Sequence, residues 1–328
     1  TALSQPIQVA GTLTRATISA AVVQAPDDGD TLGDLTALMG TLVRNATVTG
    51  RISVAQSADG RVGLARRVDL GRRLDEALAN GTLQPYFHPR FDLETGAMTG
   101  MEALARWQDP ELGWISPGEF IPLAERTGRI PEVTRTMLDA VCAQLRAWTD
   151  AGYVPPPVAV NISPEELRDP AIVDKVKATV RAAGLASEQL ELEVTERGFM
   201  DDFQAAIETM DRLADFGTTF AIDDFGTGYA SLLYLQRLPA SHLKIDKGFV
   251  DAVHTSPVTA NIVDAMVGIG DSLGMEVIGE GVELQEQATV LRAKGVAHGQ
   301  GFLWGRPAPA GQLASRLPSG RYERQGAD

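Results

Sequence analysis

Between Leu83 and His298 the chain alternates short apolar or β-branched runs with longer amphipathic stretches, and this alternation restricts it to a parallel α/β architecture. The runs are Leu83–His88, Gly100–Arg106, Pro157–Ile162, Gln189–Thr195, Thr218–Asp223, His242–Ile245, Met275–Ile278 and Gly295–His298. The stretches Val133–Ala151, Ala171–Ala183, Phe203–Phe216, Thr259–Leu273 and Glu283–Lys294 carry apolar residues at three- and four-residue spacing, the helical period. Gly184, Gly217, Gly274 and Gly295 follow where a helix stop is expected. Eight strand units in the roughly 240 residues from Gly81 onward fit a closed (β/α)8 TIM-like barrel better than an open doubly wound sheet. The Gly-Thr-Gly after Asp224 and Phe225 lacks the third glycine and the acidic partner of a dinucleotide site.

Polar residues sit where each run ends. Glu102 lies in GMEALARW, Asn161 ends VAVNIS, and Glu193 and Glu196 lie in ELEVTE. Asp223 and Asp224 end TTFAIDD, Lys244 and Asp246 lie in HLKID, Glu280 follows MEVIG and Gln300 follows the last run. Taken singly, each has a structural explanation: turn chemistry for the aspartates, a helix cap for Asn161-Ile162-Ser163-Pro164, a solvated edge for Glu193. Taken together, they occupy the rim of a barrel, where the C-terminal strand ends form active sites. Carboxylates converging there repel one another unless they are protonated or hold divalent cations. Oxygen ligands with one amide and no Cys or His cluster suit Mg2+ or Mn2+. Two such ions would favour phosphodiester hydrolysis, with Arg106 and Lys244 as fixed cations for phosphate.

The 29 Lys and Arg against 43 Asp and Glu give a formal charge of -14, which argues against a broad nucleic-acid surface. No run is long enough for a membrane-spanning helix. The single cysteine, Cys142, lies in an apolar helical run and reads as a buried small hydrophobe, so the expected compartment is a reducing cytoplasm. A chain opening on Thr1 reads as a segment of something longer, to which a sensor or membrane anchor could belong.

EALARW, VNISPEEL, ELEVTE, IDDFGTGYASLLYL, LKID, GEGVE and QGFLWGRP occur in that order and resemble the signature blocks of EAL-type cyclic di-GMP phosphodiesterases, from about Leu83 to Pro307. The resemblance implies hydrolysis of cyclic di-GMP to 5′-pGpG, with Glu102, Asn161, Glu193 and Asp223 as metal ligands and Asp224 and Asp246 completing a two-metal site. It implies that Lys244 helps activate the catalytic water and that Glu280 supports the metals or the base, so Lys244, Glu280 and Glu102 are the expected catalytic residues. Arg106, His88, Gln300 and Asp246 are expected at the substrate. Glu196 is expected to anchor the loop Asp224 to Leu232, which in that family couples metal binding to dimerisation. Two Mg2+ or Mn2+ ions, inhibition by Ca2+ and a homodimer through the barrel are further implications.

Two positions depart from the family pattern. His88 stands where a ligand-contacting glutamine is usual, and Ala230 stands for a common serine. An imidazole cannot offer an amide's combined donor and acceptor in the same geometry. The rival reading, from another class, is a non-catalytic cyclic di-GMP receptor acting through a partner protein.

The N-terminal residues differ in kind. Thr17–Val23 reads as a strand, Asp27–Asp30 as an acidic turn and Leu32–Asn45 as a helix. This part resembles, weakly, the tail of a GGDEF diguanylate cyclase domain without its signature block. The expected organisation is therefore a degenerate remnant over 1–60, a linker helix over 61–80 ended by Gly81, and a barrel over 81–328.

Overall fold

A computed structural model describes residues 59–196, 202–227 and 232–318, with short pieces of the first 58 residues. Two compact units divide between Glu76 and Ala77. In the first, Ile7–Val9 pairs antiparallel with Thr12–Thr14, and Ala21–Val22 pairs parallel with Ser53–Val54. The acidic turn Asp27–Asp30 and most of the expected strand Thr17–Val23 and helix Leu32–Asn45 lie outside the described residues, as does Ala230. A helix covers Asp59–Asn80 and ends at Gly81, which adopts the left-handed φ of 70° that lets the chain turn out of the helix.

The second unit is a closed barrel. Its strands are β1 (Leu83–Asp92), β2 (Met98–Asp109), β3 (Val158–Asn161), β4 (Leu190–Thr195), β5 (Thr219–Phe225), β6 (His242–Ile245), β7 (Glu276–Gly279) and β8 (His298–Gln300). They pair in the circular order β1-β8-β7-β6-β5-β4-β3-β2, closed by β2 against β1, with a short outer strand Gly113–Ile115 on the end of β2. From β2 through β8 every neighbouring pair is parallel. The expected all-parallel sheet is corrected at one strand: β1 runs antiparallel to both β2 and β8. The physical reason is the five-residue link Leu93–Ala97, in which Asp92 Oδ1 accepts from the backbone N–H groups of Glu94 and Thr95. So short a link makes a hairpin, whereas a parallel crossover needs a dozen residues or more.

Side-chain alternation explains why strands buried on both faces still carry charge. In β4, Leu190, Leu192 and Val194 pack among the apolar residues of the surrounding helices, while Glu191 and Glu193 point the other way, and all five are buried. In β6 Leu243 and Ile245 belong to the apolar layer and His242 and Lys244 to the interior; in β3 the split is Val158 and Val160 against Ala159 and Asn161. The outer layer is closed by helices such as Ile130–Asp150, whose Leu138, Val141, Leu145 and Trp148 are buried, with Trp148 edge-on to Phe87. Each such large side chain contributes about 1.5–3 kcal/mol through burial. This apolar sleeve sets the spacing of the polar interior.

Helix ends are fixed locally. Ser163 caps Pro164–Arg168 by accepting from Glu166 N, and the Glu166 side chain returns toward the Ser163 N–H. That box begins two residues after Asn161 and fixes the end of β3. Gly274, at φ 70°, closes Pro257–Leu273 and turns the chain into β7.

Candidate active site

The inward residues of the barrel stand at two levels. At the C-terminal level, Lys244 Nζ is 2.7 Å from Glu280 Oε1, 2.8 Å from Glu193 Oε2, 3.1 Å from Asp223 Oδ1 and 3.8 Å from Glu102 Oε2. The lysine is almost completely buried. Burial alone would depress its pKa, but the four surrounding carboxylates outweigh it and hold the ammonium charge well above the ordinary lysine range.

The carboxylates respond unequally. Burial pushes Glu193 well up, and Glu102, Asp223 and Glu280 add to the rise against the pull of Lys244. Glu280 is pushed up to about 8, chiefly by burial, with Lys244 opposing and the Asp223 and Glu102 charges reinforcing. Burial acts on Glu102 in the same direction. There the Lys244 charge and hydrogen bonds from Gln300 and Asn161 prevail, and its carboxyl titrates below the usual range. The one cluster thus contains carboxylates driven in opposite directions, a condition associated with acid–base chemistry.

Glu102 is the hub of the amide contacts. Asn161 Nδ2 donates to Glu102 Oε1 at 3.1 Å, and Gln300 Nε2 donates to Glu102 Oε2 at 2.7 Å. The same Gln300 nitrogen lies 3.0 Å from His88 Nδ1. Because Gln300 donates, His88 Nδ1 must accept, which places the imidazole proton on the buried Nε2, on the side of the Gly301 and Gly305 backbone carbonyls. Burial holds the His88 pKa below its ordinary value, so the ring is neutral at pH 7. β1 brings it there by pairing His88 directly with Glu102.

The other expected residues are distributed around this hub. Asp224, inside β5, adopts φ 54°, a left-handed conformation uncommon outside glycine, and accepts strain at the point where the strand leaves the barrel. Burial, then the Asp223 and Asp246 charges, raises its pKa. Glu196 Oε2 accepts from Gly226 N at 3.1 Å, which ties the end of β4 to the segment after β5. Asp246 caps the helix Lys247–Ala252 by accepting from Gly248 N at 2.9 Å, so one of its oxygens is engaged in structure. Arg106 does not reach the carboxylates: its Nη1 donates to Ala105 O, and it lines a largely apolar cavity of about 340 Å³ with Asn161, Ser163 and Thr195. Gln300 falls in β8 and not beyond it, held by Val282 N donating to Gln300 O. A Cβ on the next residue, Gly301, would collide with the Val282 backbone.

Three observations favour cations at this level. Glu102, Glu193, Asp223 and Glu280 confront a single buried ammonium, and the charges of Asp224 and Asp246 interact alongside. Among the described residues, Asp223, Asp224 and Glu280 also offer oxygens within 4.8 Å of one another. Hard carboxylate and amide oxygens are the donor set of Mg2+ and Mn2+. Glu193 Oε2 also lacks a well-directed hydrogen bond despite its burial.

The second level of inward residues escaped the sequence reading. Two residues before Glu193, Lys244 and Gln300 stand Glu191, His242 and His298, and Arg90 lies two beyond His88 on antiparallel β1. Glu191 pairs with Arg90 at 2.9 Å and lies 2.7 Å from His242. Burial opposes its ionisation, but Arg90 and His242 hold its carboxyl down to about 2. The two-residue spacing was the signal available for them.

Known proteins are similar to this chain over most of its length. The model of the EAL domain family matches residues 71–307. The bifunctional diguanylate cyclase/cyclic di-GMP phosphodiesterase MucR of Pseudomonas aeruginosa is 38% identical over 316 residues, 96% of this chain and 46% of MucR. The cyclic di-GMP phosphodiesterase NbdA of the same organism is 33% identical over 322 residues, 98% of this chain and 41% of NbdA. The solved structure of the PaMucR phosphodiesterase in its c-di-GMP complex superposes with a TM-score of 0.72 at 42% identity, covering 75% of this chain and 99% of that one. The chain spans less than half the length of the curated relatives it matches.

Proposed function

Because the chain belongs to the EAL domain family, we propose that it is a metal-dependent phosphodiesterase that hydrolyses cyclic di-GMP to linear 5′-pGpG at the Lys244 level of its barrel. The observation that carries the reading is the convergence of Lys244 on Glu102, Glu193, Asp223 and Glu280, drawn from five strands or strand ends. Relatives and a solved neighbour named for cyclic di-GMP supply the substrate class.

Glu102, Asn161, Glu193 and Asp223, with Asp224 and Asp246, would hold two divalent ions. When bound, these supply positive charge to the attacking and leaving oxygens of an in-line displacement. Asn161 suits the role because its Nδ2 is already engaged by Glu102, which leaves Oδ1 to coordinate. Lys244 acts from the barrel interior: its ammonium orients the attacking water and offsets charge on the phosphoryl oxygens. Glu280, in contact with Lys244, takes up or releases a proton at its Oε atoms. His88 and the Gln300 amide meet the substrate from the β1–β8 side, and Arg106 meets it from β2. Glu196, through Gly226, holds the loop that begins at Asp224. A homodimer through the barrel and a cytoplasmic setting complete the proposal. Among the described residues no helix is long and apolar enough to cross a membrane.

The test is chromatography of cyclic di-GMP incubated with the purified chain and Mg2+ or Mn2+, with and without EDTA. Metal-dependent 5′-pGpG supports the enzyme. Ligand that is bound but recovered unchanged identifies a receptor. Ca2+ is expected to compete for the site while supporting little turnover, because it enforces neither tight octahedral geometry nor strong water polarisation. Equal rates in Ca2+ and Mg2+ would contradict that assignment.

A further inference from the structure

At the N-terminal end of the barrel, opposite the Lys244 level, His242, Glu276 and His298 begin three consecutive strands, β6, β7 and β8. His242 and Glu276 are direct partners in the β6–β7 register, and His298 pairs with Ile278, the residue on the same side of β7 as Glu276. One ligand atom from each of the three lies within 4.8 Å of the others. Glu276 Oε2 is 2.7 Å from His298 Nε2 and 3.7 Å from His242 Nε2, so both Nε2 atoms converge on one carboxylate oxygen.

Each remaining ring nitrogen lies against an oxygen. His242 Nδ1 lies 2.7 Å from Glu191 Oε2, whose other oxygen is held by Arg90 Nη1, and His298 Nδ1 lies 3.2 Å from Thr99 Oγ1. A carboxylate or hydroxyl on the far nitrogen is what fixes the tautomer and orientation of metal-binding histidines. Here the Glu191 carboxylate beside His242 Nδ1 favours the Nδ1–H tautomer, which directs the His242 Nε2 lone pair at the Glu276 carboxylate, and a cation bound there would replace the hydrogen bond between His298 Nε2 and Glu276 Oε2. Charge agrees. Arg90 offsets Glu191, and the carboxylate of Glu276 remains for a dication. The Glu276 side chain is 63% exposed against 8% for His298, so the site opens to solvent and can take a further water ligand.

We propose that His242, Glu276 and His298 form a second metal site, of the two-histidine, one-carboxylate kind suited to Zn2+ or a similar borderline ion, at the end of the barrel away from the Lys244 cluster. Two of its three donors are imidazole nitrogens, which separates it chemically from the all-oxygen set around Glu102. By bridging the first residues of β6, β7 and β8, it pins the strands that close the barrel against β1.

Crystals of the chain soaked in Zn2+ and measured at the zinc edge should show an anomalous peak between the three side chains. In solution, Co2+ added to the chain should produce the strong visible absorption of nitrogen-ligated, low-coordinate cobalt. Glu276→Gln, at an exposed position where the fold is not at risk, should abolish that band and leave Mg2+-dependent hydrolysis unchanged. Thr99→Val, which removes the partner of His298 Nδ1, should weaken Co2+ binding about tenfold, the lower end of the effect typical of such supporting partners. Anomalous density confined to the Lys244 cluster, or Co2+ affinity in Glu276→Gln within about twofold of the parent chain where loss of a direct ligand should exceed the 10–100-fold of a supporting one, would overturn the proposal. These readouts need no turnover, so they stand or fall apart from the phosphodiesterase reading.

Discussion

Lys244 and His88 show how single side chains set the character of this site. A buried ammonium among four carboxylates stays charged because its partners outweigh its desolvation, and the same balance pushes Glu280 and Glu102 apart. His88 is neutral, accepts from Gln300 at Nδ1 and carries its proton on Nε2, toward the Gly301 and Gly305 carbonyls. His88→Gln restores an amide with both donor and acceptor. It should change kcat/KM for cyclic di-GMP by no more than about 1 kcal/mol, roughly fivefold, the worth of one ordinary hydrogen bond. A change of a hundredfold would mean that His88 does more than present one donor. At this scale the upper level of the site was legible in the sequence, since Glu102, Asn161, Glu193, Asp223 and Lys244 fall in or at the end of successive apolar runs within recognisable blocks. The lower level was not, because Glu191 and His242 fall inside those runs, where nothing but the alternation of the strand marks them as inward.

At the scale of elements, the legible part was what periodicity controls. The helix seen over Ile130–Asp150 and the strand Leu190–Thr195 each lie within a few residues of their expected bounds. The direction of β1 was not legible, since a strand reads alike both ways and only the shortness of the Leu93–Ala97 link decides it. The segment Pro164–Arg168 illustrates a local device with a pH signature. Glu166 completes the capping box with Ser163 and accepts from Thr134 Oγ1 at 2.6 Å, yet burial raises its pKa against those hydrogen bonds. A carboxyl whose folded pKa is raised stabilises the fold below its unfolded pKa and loses that contribution as pH rises through the folded value. Glu166→Gln keeps the accepting oxygen without the charge. Its Tm should exceed that of the parent chain at pH 8, and the difference should vanish by pH 4. A deficit at pH 8 that persists at pH 4 would refute the assignment. Cys142 makes a simpler point: burial pushes its thiol up to about 12, in keeping with an inert core residue.

For the whole molecule, the apolar sleeve and polar interior of the second unit are sufficient in themselves, since every residue proposed for chemistry lies between His88 and Gln300. A chain beginning at Asp59 should therefore unfold cooperatively and keep the turnover of the parent chain, as thermal denaturation and product assays would show. Loss of the cooperative transition would instead make the first 58 residues part of the folding unit. The formal charge of -14 accords with the proposal that an anionic substrate is received by a few placed cations and not by a basic surface.

The central claim is that the Glu102-centred cluster hydrolyses cyclic di-GMP, and the most direct measurement is the rate of 5′-pGpG formation in Mg2+ by the parent chain and by Glu102→Ala, with circular dichroism to compare their folds. Metal-dependent product is expected from the parent chain and a loss on the order of 10³-fold or more in the variant at unchanged fold, since the substitution removes a proposed metal ligand and the partner of both Asn161 and Gln300. Comparable turnover in a folded Glu102→Ala protein, or no product from the parent chain in either Mg2+ or Mn2+, would contradict it.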